Sequence, residues 1–363
     1  MEAGNVQKNK LKCDLMKKTL LTALIILICA TTMFSQAVYV DSRTGNDNNS
    51  GTKDEPLYSI EKAAEIIRSS DNDIYTMKIN PGIYILNRHV SVATGKDMNN
   101  KRIIIEASIL PDDTSWTPEK MPVIASRASE GEIPENAHFV TAFRIDESHV
   151  TIRGLKFHGY FYPHTRYNPV GRFDKTLTDL LVEQCVFVGD PNVSQLHVGI
   201  FSSGNKALID HCVFFKVRNT VVFGAEPEGS GITNSIIYGA CQAVWTAGPD
   251  KSFRFENNIV TNCGYVWVKN SANTTTNYSM NNCIIVNNRY FKGIPDSVRL
   301  QPGEFELRES NIIKAGEISL RLTGAEDKPL LTGVDKELPV DYMHIIPGTP
   351  GYEMGAGLFK KRE

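Results

Sequence analysis

Six side chains between positions 164 and 218 form the group best suited to chemistry: His164, Arg166, Arg172, His197, Lys216 and Arg218. Cations of this kind hold an anionic ligand and can neutralise an enolate as it forms. A His, Tyr, Lys or Arg of lowered pKa can take the proton beside a carboxylate. Together these are the parts of a β-elimination, and Tyr162 and Tyr167 stand among them to contact a ring. Singly, each reads more readily as a solvated loop residue pairing with Asp174 and Asp190. The cluster carries more weight than any member.

The elements that must position these residues are written as a repeat. The pattern Cys, two residues, Val, Trp occurs at Cys241 to Trp245 and again at Cys263 to Trp267, an offset of 22 residues that suits one rung of a solenoid. Aligned copies read IRGLKF, VEQCVF, IDHCVF, ITNSII, FENNIV, MNNCII and LRESNII. Their fourth positions are Leu155, Cys185, Cys212, Ser235, Asn258, Cys283 and Ser310. The third positions run Gly154, Gln184, His211, Asn234, Asn257, Asn282 and Glu309. Asn tolerates the left-handed backbone of a sharp corner, and its amide can hydrogen-bond the next rung. A second block follows each first one: VGIF from Val198, TVVF from Thr220, QAVW from Gln242, GYVW from Gly264 and NRYF from Asn288. Short strands separated by corners, with equivalent residues stacked about 4.7–4.9 Å apart, make an all-β, right-handed parallel β-helix. The regular rungs are placed at 136–322, with an N-terminal cap and first rungs at 38–135 and a closing segment at 323–363. Ile60, Ala63, Ala64 and Ile67 give one apolar face to a short capping helix begun near Ser59.

In the second block, Phe201, Phe223, Trp245, Trp267 and Phe291 align as one aromatic column beside Ile200, Val222, Val244, Val266 and Tyr290. Facing outward it would be a ladder for flat rings, with Trp245 and Trp267 as binding residues; facing inward it would be a core stack. By alternation the neighbouring column is the natural inward one, but both are apolar enough to be core. The fourth-position cysteines are read as buried thiols, since free Cys is among the most buried residue types. The 22-residue stretch HGYFYPHTRYNPVGRFDKTLTD makes its rung the longest. Tyr160 to Tyr162 align with the second block, which leaves residues 163–177 as a loop overhanging one sheet edge, where Lys216 and Arg218 also arrive.

The chain also resembles a family. YVDSRTGNDNNSGTKDEPLYSIEKAAEII, INPGIYIL and PVIAS look like the N-terminal portion of secreted bacterial β-helix proteins of the pectate-lyase-like superfamily, and PGTPGYEMGAG is similar to the close of their last turn. The resemblance implies a polysaccharide lying along the second-block sheet. It implies no single activity, since lyases, hydrolases and members without established chemistry share the fold. The leading expectation is a lyase on an acidic, uronate-containing glycan. The alternatives are a non-catalytic carbohydrate-binding or surface-structural protein, and a glycoside hydrolase using Glu226, Glu228 or Asp174 as paired carboxylates. The hydrolase signature of paired aspartates followed by Gly-His-Gly is absent. IDHCVF resembles a motif of calcium-dependent pectate lyases, but it falls in register with six other rungs. No cofactor is expected. Glu183 and Asp210, on one outward column, could at most bind Ca²⁺ through oxygen ligands.

The chain begins as a targeting segment. Met16, Lys17 and Lys18 lead into LLTALIILICA, and Ser35 and Ala37 provide small residues for cleavage after Ala37. Ile28 stands where a lipoprotein signal at Cys29 would want a small residue. The expected product is secreted or periplasmic, monomeric and without a membrane anchor. It carries 34 basic and 39 acidic residues, with no basic stripe to suggest nucleic acid.

Overall fold

Apolar alternation and left-handed corners give a parallel β-solenoid in the computed structural model, which describes residues 37–69, 75–95, 101–127, 140–160, 166–190, 195–246, 252–270, 277–296, 299–321, 341, 344–349 and 351–358. A first ladder starts at Ala37–Val40 and pairs in parallel through Thr76–Ile79, Ile103–Ala107, Val150–Arg153, Thr178–Glu183, Asn205–Asp210, Ser230–Thr233 and Ser252–Glu256 to Asn277–Val286. A second ladder joins Ile83–Leu86, Val123–Ser126, Lys156–His158, Val186–Val188, Val213–Phe215, Ile236–Tyr238 and Ile259–Thr261. A separate nine-stranded sheet forms the remaining side. Its parallel strands include Tyr167–Arg172, Val198–Ser202, Asn219–Phe223, Gln242–Thr246 and Tyr265–Lys269.

The corner between the two ladders follows from residue chemistry. Gln184, His211, Asn234, Asn257 and Asn282 all have φ between 49° and 57°, a backbone state in which Asn is enriched. The amides of the last three form a continuous rail: Asn257 donates to Asn234 at 3.0 Å and Asn282 to Asn257 at 2.8 Å. In the last rung the corner residue is Asn311 rather than Glu309, because Met280 pairs with Glu309 and not with Leu307, two residues later than in the aligned copy; Cys283 therefore pairs with Ile312 and not with Ser310. Inside, Phe157, Phe187 and Phe214 stack at centroid distances of 4.9 and 4.7 Å. Cys185, Cys212, Cys263 and Cys283 are buried, while Cys241 is exposed.

The helix spans Ile60–Ser69 and buries Ile60, Ala63, Ala64 and Ile67, as the periodicity predicts. Ser59 caps it by accepting from the Lys62 N–H at 3.2 Å, and Asp47 holds the Ser59 hydroxyl at 2.7 Å. Its buried face joins the core cluster containing Val38 and Val40 of the first strand. The solenoid end is thereby covered rather than left as open core. Described residues of the closing segment lie against the outside of the second ladder: Gly357 donates to the Asn257 carbonyl at 2.7 Å, and Asn282 donates to that of Met354 at 3.1 Å. No helix of the described residues is long and apolar enough to cross a membrane.

Candidate functional site

Register in the nine-stranded sheet decides which side chains can meet a ligand, and it differs from the 22-residue alignment. Phe201 pairs with Val222, Val222 with Trp245, and Trp245 with Val268. The offset between the two tryptophan rungs is thus 23 residues, and Trp267 stacks on Val244 instead of on Trp245. The expected aromatic column does not exist as one column. Ile200, Val221, Val244 and Trp267 are fully buried and face the core, whereas Phe201, Val222 and Trp245 face outward and are half-buried. Phe223 also points inward, one position further on, and is fully buried. Trp267 packs on Phe253 and Tyr278 at 5.3 Å each, so it is a core residue and not a binding one.

The long rung is corrected in the same way. Its sheet strand is Tyr167–Arg172, not Tyr160 to Tyr162, and every residue of it is buried. Tyr160 instead makes an isolated bridge to Gln195 and stacks on Tyr167 at 5.3 Å. Tyr167 is 0 % exposed, and burial pushes its hydroxyl pKa up. Arg172, expected on an exposed loop, is also 0 % exposed. Its Nε donates to Ser202 Oγ at 3.1 Å and its Nη2 to the carbonyls of Gly204 and Asn205, both at 3.0 Å. The guanidinium thus ties the next rung's corner together. Burial lowers its pKa to about 10, leaving it cationic at neutral pH but out of a surface ligand's reach. Tyr162 and His164 lie outside the described residues.

Three of the expected residues are brought together. Arg166, His197 and Arg218 lie at one edge on three successive rungs; His197 and Arg218 share a register row, since Val198 pairs with Asn219, whereas Arg166 stands one residue ahead of that row, since Val170 pairs with Ile200. The backbone there is pinned: His197 donates to the Tyr167 carbonyl at 3.1 Å and Arg218 to that of Leu196 at 3.0 Å, while Asn219 Nδ2 donates to the His197 carbonyl at 2.9 Å. Arg166 and Arg218 are exposed and His197 is half-buried. Burial, then the charges of Arg218 and Arg166, lowers the imidazole pKa to about 4. At neutral pH the edge therefore presents a neutral imidazole between two permanent cations. Lys216 sits at the same turn with φ 51°, its ammonium 5.0 Å from the Phe215 ring centroid.

The outward face beside this edge carries aromatic residues that block alignment identified only in part. Phe173 stacks on Phe201 at 5.2 Å, Tyr265 stacks on Tyr290 at 4.9 Å, and the Trp245 indole donates to Asn270 Oδ1 at 3.3 Å. Phe173 and Tyr265 lie outside the expected column, so only the three-dimensional register could have added them. Asp174, Glu226 and Glu228 are exposed beyond the opposite ends of the strands. Asp174 accepts from the Thr176 N–H and hydroxyl at 2.8 and 2.7 Å, which lowers its pKa. Glu183 and Asp210 are register partners, as expected for one outward column. Their oxygens are already engaged, however, by Arg153, His211, Thr233 and Asn234. The pair does not present the open oxygen set a hard cation requires.

No family model matches the chain, and no curated protein matches it. Among solved structures it is similar to a rhamnogalacturonan lyase, with 13% identity over 89% of this chain and 99% of that one at a TM-score of 0.47. A pectin methylesterase from Aspergillus niger aligns at 12% identity over 85% and 99% with a TM-score of 0.38. A lacto-N-biosidase from Eubacterium ramulus aligns at 9% identity over 80% and 69% with a TM-score of 0.34. At these values the likenesses decide neither activity nor substrate.

Proposed function

We propose that this chain is exported, binds an acidic polysaccharide along the outward face of the nine-stranded sheet, and cleaves it by β-elimination at the edge formed by Arg166, His197 and Arg218. The observation that carries this reading is the neutral imidazole held between two exposed guanidinium groups on successive rungs. A uronate carboxylate lying against Arg166 and Arg218 acidifies the adjacent C–H, because the guanidiniums neutralise the charge that moves onto the carboxylate oxygens as the proton leaves. His197 accepts that proton. The electron pair then forms the ring double bond and expels the glycosidic oxygen, which is reprotonated by the imidazolium or by water. Binding also tunes the base. A carboxylate that offsets the two cations removes part of what depresses the His197 pKa, so the imidazole becomes more basic in the complex than in the free protein.

The conjugated double bond absorbs in the ultraviolet, so incubation with uronate polymers tests the reading directly. His197→Gln, Arg166→Ala and Arg218→Ala should each lower turnover roughly 10²-fold or more, as removal of a transition-state donor does, with little change in stability. Saturated reducing ends as the only product would move the assignment to Asp174, Glu226 and Glu228. The half-open aromatic face supports a second reading, carbohydrate binding without chemistry. Tight binding with no product from any uronate polymer would favour it.

A further inference from the structure

The outward column of the nine-stranded sheet runs in register from Phe201 through Val222 and Trp245 to Val268 and Gly293. It is not open along its whole length. The first three residues are half-buried, whereas Val268 is 0 % exposed and Gly293 is buried. Side chains lie over these last rungs: a Cβ on Gly293 would come 2.6 Å from Tyr265 Cδ1 and 3.2 Å from Leu300 Cδ1. Only a glycine lets the phenol ring sit so close to the strand. The ring stacks on Tyr290 at 4.9 Å, its hydroxyl donates to the Leu300 carbonyl at 3.4 Å, and Leu300–Pro302 is itself paired antiparallel with Tyr290–Pro295. Arg289 lies over the far side of the stack, its guanidinium carbon 5.1 Å from the Tyr290 ring centroid. In the other direction the column continues past Gly171 to Arg144 and Ser91, both half-buried.

From this wall across one end of the face we infer that the protein works on chain ends, seating the terminus of its polysaccharide against Tyr265 and Leu300 rather than gripping a segment from within the chain. A glycan lying along the column cannot pass beyond Trp245, because protein atoms occupy the next two rungs. Its other end leaves over Gly171 and Arg144. His197 stands on the rung of Phe201 and Arg218 on that of Val222, so the blocked rung at Val268 lies three strand spacings, ~14 Å, beyond His197. A sugar ring in an extended glycan advances by about one such spacing, which leaves space for about two rings between His197 and the wall. Elimination at His197 then releases a short product of fixed length. A face open at both ends would admit the chain anywhere and cut it at random. Tyr265 and Leu300 are thereby specificity-determining residues, although neither touches the reacting atoms.

This inference rests on the lyase reading, and the test separates the two. Polygalacturonate and hyaluronan, each in a short and a long fraction, are incubated with the purified protein while ultraviolet absorbance, product size and viscosity are followed. Calorimetry with the same fractions counts protein molecules bound per chain. The expected result is a short unsaturated product from the first turnovers, with viscosity falling only in step with the mass released. Binding should saturate at one protein per chain whatever the chain length. Tyr265→Ala combined with Leu300→Ala should lengthen and spread the products and make viscosity fall several-fold faster per bond cleaved; thermal unfolding checks that this variant is folded. Long products and an early collapse of viscosity with the unaltered protein would overturn the chain-end inference and leave the lyase reading standing. One protein per chain without any elimination product would support the wall and remove the lyase. Occupancy that rises with chain length and gives no product, or binding of neither polymer, would remove both.

Discussion

On the second ladder the outward column Val186, Val213, Ile236, Ile259 and Ile284 is buried, in one cluster with Trp116, Met121 and Ala356. On the nine-stranded sheet the outward residues Phe201, Val222 and Trp245 remain half-buried, and only Val268 beyond them in the same column is closed over among these four. Both are apolar faces of parallel strands, and the same stacking arithmetic builds them. They differ in what lies over them, and each holds a histidine that reflects the difference. His158 lies on the closed face beside Lys156, and burial lowers its pKa to about 3. His197 lies at the open edge, where burial and two arginines lower its pKa to about 4. Similar shifts have different consequences: protonation of His158 opposes the fold, and protonation of His197, half-buried at the open edge, would in the proposed reaction remove the base.

The largest expected effect separates inward from outward within the open sheet. Trp267→Ala should cost about 3–5 kcal/mol, because it empties a packed core site between Phe253 and Tyr278. Urea denaturation measures this. A loss near zero would mean that Trp267 is not in the core.

Acid tests the closed face next. With a folded pKa of about 3 against roughly 6.5 unfolded, His158 takes up its proton in the unfolded chain first. Its contribution to stability is therefore fully present above about pH 6.5 and declines as pH falls toward 3, by about 1.4 kcal/mol per pH unit. His158→Leu should flatten the acid limb of a stability–pH profile by that slope; an unchanged slope would contradict its burial as a neutral ring. Turnover per folded molecule should behave otherwise. It should hold until pH falls through about 4, where His197 of the free protein becomes protonated, and kcat/KM profiles read that limb.

Smaller effects complete the comparison. Trp245→Ala, on the open face, should change stability by only about 0.5 kcal/mol while weakening glycan binding. A loss as large as that of Trp267→Ala would mean that the face is closed after all. Thiol labelling of the native protein should modify Cys241 rapidly and leave the other four cysteines of residues 38–363 until denaturation. Burial pushes the Cys263 and Cys283 thiols up to about 12, so neither supplies a thiolate at neutral pH. Intact mass of exported protein beginning at Val38 would support cleavage after Ala37; a lipid on Cys29 would refute it.

The amino-acid sequence by itself determined the solenoid, its corners and its cap. These features are local: a left-handed corner is a property of one residue and its neighbours, so Asn234, Asn257 and Asn282 announce it, and Ile60 to Ile67 declare a helix face within two turns. It also grouped Arg166, His197 and Arg218 at one edge, although it placed Arg166 in a loop following its strand and only the structure put it directly before one. Tertiary structure alone decided which strand residues face outward. Successive side chains on a strand point to opposite sides, so the one-residue difference between offsets of 22 and 23 moved Trp267 from the groove to the core while Trp245 stayed outside. The same rule buried Tyr167 and Arg172, whose strand lay five residues beyond the end of the aligned block. Both registers satisfy the apolar pattern of the sequence, and only the hydrogen bonds to neighbouring rungs choose between them.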